Sequence, residues 1–590
     1  MGRPRIADTG GVSGSLARWL ANPRQMLANV EWQEIIVHPL IFAVFPVLTL
    51  YVENVGEGFL REAVAVGIGA LAVTAVLWLL ATLLIRDGRK SAVIVSVFVI
   101  LFFSYGHAMS AFGALLERLP FLGGTEHWVE GRFALRLWLI IWAVLFVVAT
   151  GVIVRLKSDL RTATQFLNVV ALALLLMVGV NVAVGGGDFL AGLSAGAEAA
   201  STGNATESEP SAAEPTTTGG GEAGADRVAE YVRSWEPDLS VGHVDAATQS
   251  LPDVYYIVVD AYARADILRD VYGFDNSDFL SYLSRQGFYV ADESVSNYPQ
   301  TALSLASSLN LIYLDSVASE MGTETDNRQP LQVMIKKNRV FRYFEKLGYT
   351  ILACKTGYGF TELTEADVYM APPKQWSLSE FQEALVTLTP LSVFRKTWFD
   401  FRRDRVTYAF DHVADAARRD EPTLTFVHVL VPHWPFIFDA DGQPIQPPKG
   451  IGMRTDYDYD QFIEGYQEQL AFVNSRLKSA IDEILSHSSS EPIIVIQADH
   501  GPDAKLDFGW NIEKTYLPER LSILNAYYFP GQDYGELYPS ITPVNTFRVV
   551  LSEFLGAEYD LLEDRSYFAT WERPYVFTDV TEEVTPPLEP

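Results

Sequence analysis

The sequence predicts two architectures in one chain: a multi-pass α-helical membrane domain of five spans, then an α/β domain built on a central, mostly parallel sheet. Three observations predict this. Long apolar runs crowd residues 36–184. Beyond Pro252, short apolar runs alternate with amphipathic stretches and end in polar residues. Between the two lies a stretch of Gly, Ala, Ser, Thr, Glu and Pro that cannot bury a core.

The 590 residues leave room for at least two units, and 49% hydrophobic with 20% charged residues is oily for a soluble protein. The spans are expected at Ile36–Val52, Ala63–Ile85, Ala92–Phe112, Leu135–Val154 and Phe166–Val184, each near the ~20 residues a bilayer requires. The first is the shortest and carries His38, Pro39 and Pro46. Residues 1–30 lack a compact apolar core with a small-residue cleavage site, so no cleavable signal peptide is expected.

Basic clusters set the orientation. Arg3, Arg5, Arg18 and Arg24 precede the first span; Arg86, Arg89 and Lys90 follow the second; Arg155, Lys157 and Arg161 follow the fourth. The alternate loops are mixed or acidic. With five spans the positive-inside rule puts the N-terminus in the cytoplasm and everything after Val184 outside the cytoplasmic membrane. The expected domains are residues 1–185 in the membrane, a flexible linker over 186–250, a catalytic domain over 251–558, and a loosely held acidic, Pro-containing tail over 559–590.

The charge is uneven: +2 over residues 1–190 and −31 over the remainder. An outer domain this acidic excludes nucleic acid as a partner. Cys354, the single cysteine, rules out an intrachain disulfide and follows an apolar run, as a buried structural thiol does.

In the outer domain, Val254–Val259, Thr350–Ala353, Leu424–Val431 and Ile493–Ala498 read as strands, and Phe279–Gln286, Arg339–Lys346 and Tyr459–Leu485 as helices. Three strands run into chemistry. The last leads to Asp499-His500-Gly501, a hard oxygen beside an imidazole, which suits a divalent metal or, equally, a helix cap beside an incidental histidine. The first ends at Asp260, and the third carries His428 within the strand and His433 just past it. Three polar strand ends form a better candidate for one assembled site than any alone. Thr301 opens a small-residue, helix-compatible run after Pro299-Gln300, either as an N-cap or as a hydroxyl aimed at a phosphate on the helix N-terminus.

An acid at a strand end, Thr301 in Thr-Ala-Leu-Ser, His433 in His-Trp-Pro-Phe, then Asp-His-Gly: this order resembles the alkaline phosphatase/sulfatase superfamily. A five-span membrane half followed by an outer catalytic domain is similar to lipoteichoic acid synthases and lipid A phosphoethanolamine transferases, and Tyr538–Arg548 resembles the closing segment of bacterial sulfatase-like membrane proteins. The resemblance implies an alkaline-phosphatase-like fold, with Asp260, Thr301, Asp499 and His500 as metal ligands and Thr301 as the nucleophile. It implies that His433 contacts the substrate phosphate, with His428 and Arg264 as adjacent substrate-binding candidates.

Departures narrow the reading. No Cys/Ser-x-Pro-x-Arg pentapeptide exists, which disfavours formylglycine-dependent sulfate-ester hydrolysis. No histidine follows His500, which favours one metal over two, and the single cysteine excludes the disulfides of the phosphoethanolamine transferases. The expected function is a membrane-anchored, metal-dependent phosphotransferase or phosphodiesterase acting on a membrane lipid or envelope glycopolymer. The alternatives are a sulfate-ester hydrolase of the same fold and a non-catalytic envelope-binding protein. Two carboxylates, a hydroxyl and an imidazole suit one Mn²⁺ or Zn²⁺, with Ca²⁺ or Mg²⁺ less favoured by the nitrogen.

Overall fold

The computed structural model describes residues 35–54, 60–117, 132–184, 220–236, 251–373, 378–445 and 457–584. Five apolar helices come first: α1 (His38–Glu53), α2 (Leu60–Ile85), α3 (Gly88–Glu117), α4 (Arg132–Arg155) and α5 (Arg161–Val184). Four of them, α2 to α5, are long and apolar enough to cross a membrane. The expected count of five spans is therefore corrected to four among the described residues. Helix α1 has 16 residues, about 24 Å at ~1.5 Å per residue against ~30 Å of hydrocarbon. Pro39 stands in its first turn, where a missing N–H costs no helical hydrogen bond, and Pro46 lies in its interior. Asn168 of α5 anchors that start, accepting from the N–H groups of Val37 and His38 at 3.1 Å each.

The bundle has two distinct ends. At one, Arg89 pairs with Asp159 at 2.7 Å and Lys90 Nζ donates to the Leu156 carbonyl at 2.7 Å, so the basic loops after α2 and α4 meet. At the other, the Gly106 N–H donates to the Leu388 carbonyl at 3.1 Å and Ser379 Oγ to the Glu62 carboxylate at 2.6 Å. The α/β domain thus sits on the end away from the basic loops. The tether expected over 186–250 is interrupted by α6 (Gly220–Ser234), which buries Val228 and Val232 in the α/β core. A Cβ on Gly224 would fall 2.1 Å from the Glu320 carbonyl oxygen, so the glycine permits this approach. The rest of that stretch lies outside the described residues.

The sheet has seven strands: β1 (Val254–Val259), β2 (Tyr289–Val290), β3 (Thr350–Cys354), β4 (Val368–Met370), β5 (Thr423–Val429), β6 (Ile493–Gln497) and β7 (Asn525–Tyr528), in the order β2-β7-β6-β1-β5-β3-β4. Neighbours from β6 to β4 run parallel; β7 is antiparallel to β6 and β2 to β7. The sheet is mostly parallel, as its unbroken apolar runs predict. Alternate side chains of β1 feed two cores: Tyr255, Ile257 and Val259 on one face, Val254, Tyr256 and Val258 on the other. The remaining helices used below are α7 (Thr301–Ser308), α8 (Glu380–Thr387), α9 (Arg395–His412) and α10 (Tyr459–His487). Helix α10 starts at a capping box of Asp458 and Gln461 and buries Leu470, Val473, Leu477 and Ile481 against the sheet. Cys354 ends β3 and is buried, which pushes its thiol up to about 12, the state of an inert structural cysteine.

The tail expected to hang loose over 559–590 is instead packed as far as Val584. Strand β8 (Tyr567–Phe568) pairs with β9 (Thr578–Asp579), and the Tyr567 N–H donates to the Asn297 carbonyl at 2.9 Å. Tyr567, Phe568, Tyr575, Val580 and Val584 are all buried; these few apolar anchors outweigh the acidic composition around them. Residues 585–590 lie outside the described residues. Removing 559–590 is expected to destabilise the α/β domain by several kcal/mol, at about 1.5–3 kcal/mol per large buried apolar side chain. Thermal unfolding of the truncated chain checks this.

Candidate active site

Three parallel strands end side by side. Val258 of β1 lies in register between His428 of β5 and Gln497 of β6. The residues after each strand therefore leave the sheet at one edge, where open α/β sheets hold ligands. Asp260 follows β1, and its N–H donates to the Val429 carbonyl at 3.0 Å. Ala261 then adopts a φ of 61°. Tyr466 holds that turn: its hydroxyl donates to the Ala261 carbonyl at 2.9 Å and accepts from the Ala263 N–H at 3.1 Å. Left-handed backbone at a residue with a Cβ persists only where its surroundings fix it. After β6, a Cβ on Gly501 would fall 2.0 Å from the Glu519 carbonyl oxygen. The glycine of Asp-His-Gly is a requirement of close backbone approach.

Thr301 is the first residue of α7. Gln300 holds the cap position, and no side chain caps the helix, so the Thr301 hydroxyl is not engaged as an N-cap. It lies 3.2 Å from His500 Nε2. His500 Nδ1–H donates to the Gly501 carbonyl at 2.9 Å, which leaves Nε2 unprotonated and able to accept from Thr301. The same Nε2 is 3.5 Å from Asp499 Oδ2 and 3.8 Å from Asp260 Oδ1. His428 is set in the same way. Thr361 Oγ1 donates to Thr356 Oγ1, so it accepts from His428 Nδ1–H at 2.9 Å. His428 Nε2 is then a bare lone pair 3.6 Å from Asp260 Oδ2.

Electron-rich atoms thus converge with nothing between them. Asp260 Oδ1, Asp499 Oδ2 and His428 Nε2 are buried without a hydrogen-bond partner, and one donor atom from each of these residues lies within 4.8 Å of the others. Separations of 3.5–3.8 Å between donor atoms approach the ~3.4 Å edge of a tetrahedron with bonds of ~2.1 Å. The residues fit a divalent cation. Burial, and then the neighbouring Asp499 charge, pushes Asp260 well above the ordinary carboxylate range. For Asp499 burial is again the largest influence and acts upward, but hydrogen bonds from the Thr301 hydroxyl and the Ala261 N–H help hold the group low. Burial lowers His428 to about 4 and His500 to about 3, the latter helped by the adjacent Arg520, so both imidazoles are neutral ligands at physiological pH.

The structure brings Asp260, Thr301, Asp499 and His500 together and sets His433 beside them, its ring centroid 6.1 Å from that of His500. It seats His428 inside the acidic cluster rather than at its rim. Arg264 stays out: Nε and Nη2 each hold Asp266 at 2.8 Å, and Nη1 donates to the Glu293 and Ser294 carbonyls. Sequence reasoning missed Arg520. Its guanidinium donates to the Pro299 carbonyl at 2.8 Å and the Gly501 carbonyl at 3.0 Å, and lies 3.4 Å from His500 Nε2. It ties the turn before Thr301 to the turn after His500. No spacing signal marks it, because it comes from the short helix Leu517–Leu521, with no motif around it.

Known proteins were then compared with the chain. Among solved structures, integral membrane lipooligosaccharide phosphoethanolamine transferase A from Neisseria meningitidis is similar at 12% identity over 88% of this chain and 94% of that one, with a TM-score of 0.35. The periplasmic domain of EptC from Escherichia coli, in complex with Zn, is similar at 10% identity over 60% and 98%, with a TM-score of 0.40. The putative sulfatase YidJ from Bacteroides fragilis is similar at 14% identity over 55% and 83%, with a TM-score of 0.35. No curated protein matches the chain. The sulfatase family model matches residues 252–548, half of the chain and nearly all of the sheet and its site. On that match the chain belongs to the sulfatase family.

Proposed function

We propose that the protein is a membrane-anchored, metal-dependent phosphotransferase or phosphodiesterase that works through Thr301 on a phosphoester of a membrane lipid or envelope glycopolymer. The observation that carries this reading is the uncapped Thr301 hydroxyl, 3.2 Å from an unprotonated His500 Nε2 and beside two buried carboxylates. Asp260, Asp499 and His500 would hold the ion, with Thr301 completing the set and His428 as a further imidazole beside it. Mn²⁺ or Zn²⁺ suits this mixture of oxygen and nitrogen better than Ca²⁺ or Mg²⁺. A divalent ion there supplies a lowered pKa for the Thr301 hydroxyl and draws charge from the phosphoryl oxygens.

The chain's own groups do the rest. Deprotonated Thr301 Oγ1 forms the bond to phosphorus while the ester oxygen leaves, and Arg520 lies close enough to share the charge that builds on the phosphoryl group. His433 Nδ1 faces the Trp434 carbonyl, which can only accept, so Nδ1 carries the proton and Nε2 is bare. Burial lowers its pKa and keeps it neutral. In that state it relays protons: the one Thr301 gives up passes to the leaving alcohol in the first step, and the one taken from the attacking water or acceptor hydroxyl returns to Thr301 Oγ1 in the second. Two in-line displacements retain configuration at phosphorus. A formylglycine sulfatase would need Cys or Ser where this chain has Thr301.

The catalytic domain is read as extracytoplasmic because it rests on the end of the bundle opposite Arg89, Lys90 and the loop at 155–161, whatever the role of α1. Thr301→Ala is expected to lower kcat on bis(p-nitrophenyl) phosphate by ~10³-fold or more and to abolish a phosphorylated Thr301 peptide in intact-mass and peptide mapping. Full turnover by that variant contradicts the mechanism. Asp499→Asn is expected to reduce bound metal from about one ion per chain to a small fraction of that, read by elemental analysis, because a weakly donating amide replaces a charged ligand. An unchanged ion content contradicts the ligand assignment.

A further inference from the structure

We propose that Asp503 is a positioning residue: through the indole of Trp434 it holds the His433 ring in place beside His500 and Thr301. The proposal rests on the phosphoester reading above, which gives His433 its part in the chemistry. Asp503 stands three residues past His500, in the segment that leaves β6, and is 4% exposed. Its Oδ2 accepts from Trp434 Nε1–H at 2.8 Å. An indole nitrogen donates only, so this bond has a single direction.

The indole in turn carries His433. The two ring centroids lie 4.8 Å apart with their planes 35° apart, within the range of stacked rings. His433 Nδ1–H donates to the Trp434 carbonyl. The main chain of His433 is pinned on both sides: its N–H donates to the Asp260 carbonyl at 3.2 Å, and its carbonyl accepts from Gln469 Nε2 at 3.0 Å. With the backbone fixed, the remaining freedom is rotation of the imidazole, and the Trp434 face limits it. The ring so held stands 6.1 Å, centroid to centroid, from His500, whose Nε2 is 3.2 Å from Thr301 Oγ1. Every link from Asp503 to Thr301 is a hydrogen bond or a ring contact.

Asp503 is a buried acid close to the proposed ion, yet its place differs from that of the ligands. The converging donor atoms belong to Asp260, His428 and Asp499, with His500 beside them, whereas Asp503 turns Oδ2 to the indole. Trp434 is only half-buried, so packing alone does not lock its ring, and the hydrogen bond to Asp503 does. The same carboxylate acts on both cationic or basic groups that flank His500. Burial lowers His433 and Arg520, and in each the Asp503 charge is the largest influence opposing it. One acid therefore steadies the orientation of His433 and the charge of its surroundings.

The test is a double-mutant cycle in the full-length protein on bis(p-nitrophenyl) phosphate, with bound metal measured in every variant. Trp434→Phe keeps a ring to stack on and removes the N–H; Asp503→Ala removes the acceptor. Each is expected to lower kcat about tenfold with KM within about twofold, and the double variant to fall no further, because both break one bond. Asp503→Asn keeps an acceptor oxygen and is expected to recover kcat to within about threefold of the unaltered protein. Metal content is expected to be unchanged throughout. The proposal is overturned if a single variant turns over at the full rate, if the two losses multiply, if Asp503→Asn is as slow as Asp503→Ala, or if Asp503→Ala loses the ion. If Asp503→Ala does not fold, Trp434→Phe and Asp503→Asn decide the matter by the same criteria. A second readout needs no turnover: in crystals of Trp434→Phe the His433 ring is expected to turn from its place beside His500, and in Asp503→Asn to keep it. An unmoved ring in Trp434→Phe overturns the proposal, whereas an unaltered protein inactive on phosphoesters overturns the functional reading instead.

Discussion

The structure depends on a meeting of lone pairs. Asp260, Asp499, His428 and His500 turn unprotonated or acidic atoms toward one point in a buried site. Each imidazole is held in that state by a partner on its other nitrogen: the Gly501 carbonyl for His500, the Thr361–Thr356 hydroxyl chain for His428. Two carboxylates so placed cannot both ionise without a cation, and the opposed shifts of Asp260 and Asp499 express that conflict. A divalent ion resolves it, and the surrounding fold is arranged as though to make room for one.

That arrangement is built outward from the sheet. The parallel register of β5, β1 and β6 delivers three chain segments to one edge. Arg520 joins the turn before Thr301 to the turn after His500 and keeps a fixed positive charge beside the acids. The C-terminal segment closes the far side: Gln300, next to Thr301, donates to the carbonyls of Ala569 and Thr570 at 3.1 Å. The position of Thr301 is therefore determined partly by residues about 270 positions away. On the opposite flank, Phe381 and Leu385 of α8 pack on Val47, Tyr51 and Ala63 of the membrane helices, and Glu383 of α8 lies 3.9 Å from Arg402 and 3.7 Å from Arg405 of α9.

Much of this is legible in the amino-acid order. Apolar runs leading to Asp260 and Asp499 announce buried parallel strands, and Asp-His-Gly carries its own geometric reason in Gly501. Thr301 is ambiguous in sequence because a cap and a nucleophile use the same residue at the same place; the backbone puts Gln300 at the cap and Thr301 inside the first turn. His428 was legible as a strand residue, but its orientation depends on Thr361, some seventy residues upstream. Arg520 and Arg264 mark the limit of local reading. The first reaches the site from a segment without a motif, and the second, beside Asp260 in sequence, is captured by Asp266. The same limit explains α1, whose apolar run forms a helix of 16 residues with Pro39 in its first turn and Pro46 inside it, and the tail, where five anchors outweighed composition.

On the proposed function, Asp260, Asp499 and His500 would enclose one divalent ion next to Thr301. Anomalous diffraction from crystals of the intact protein, collected on either side of the manganese and zinc absorption edges, tests it most directly. A single strong peak is expected ~2.0–2.3 Å from an oxygen of each aspartate and from His500 Nε2. A clear map with no peak there, and with Asp260 and Asp499 sharing a proton in its place, would contradict it.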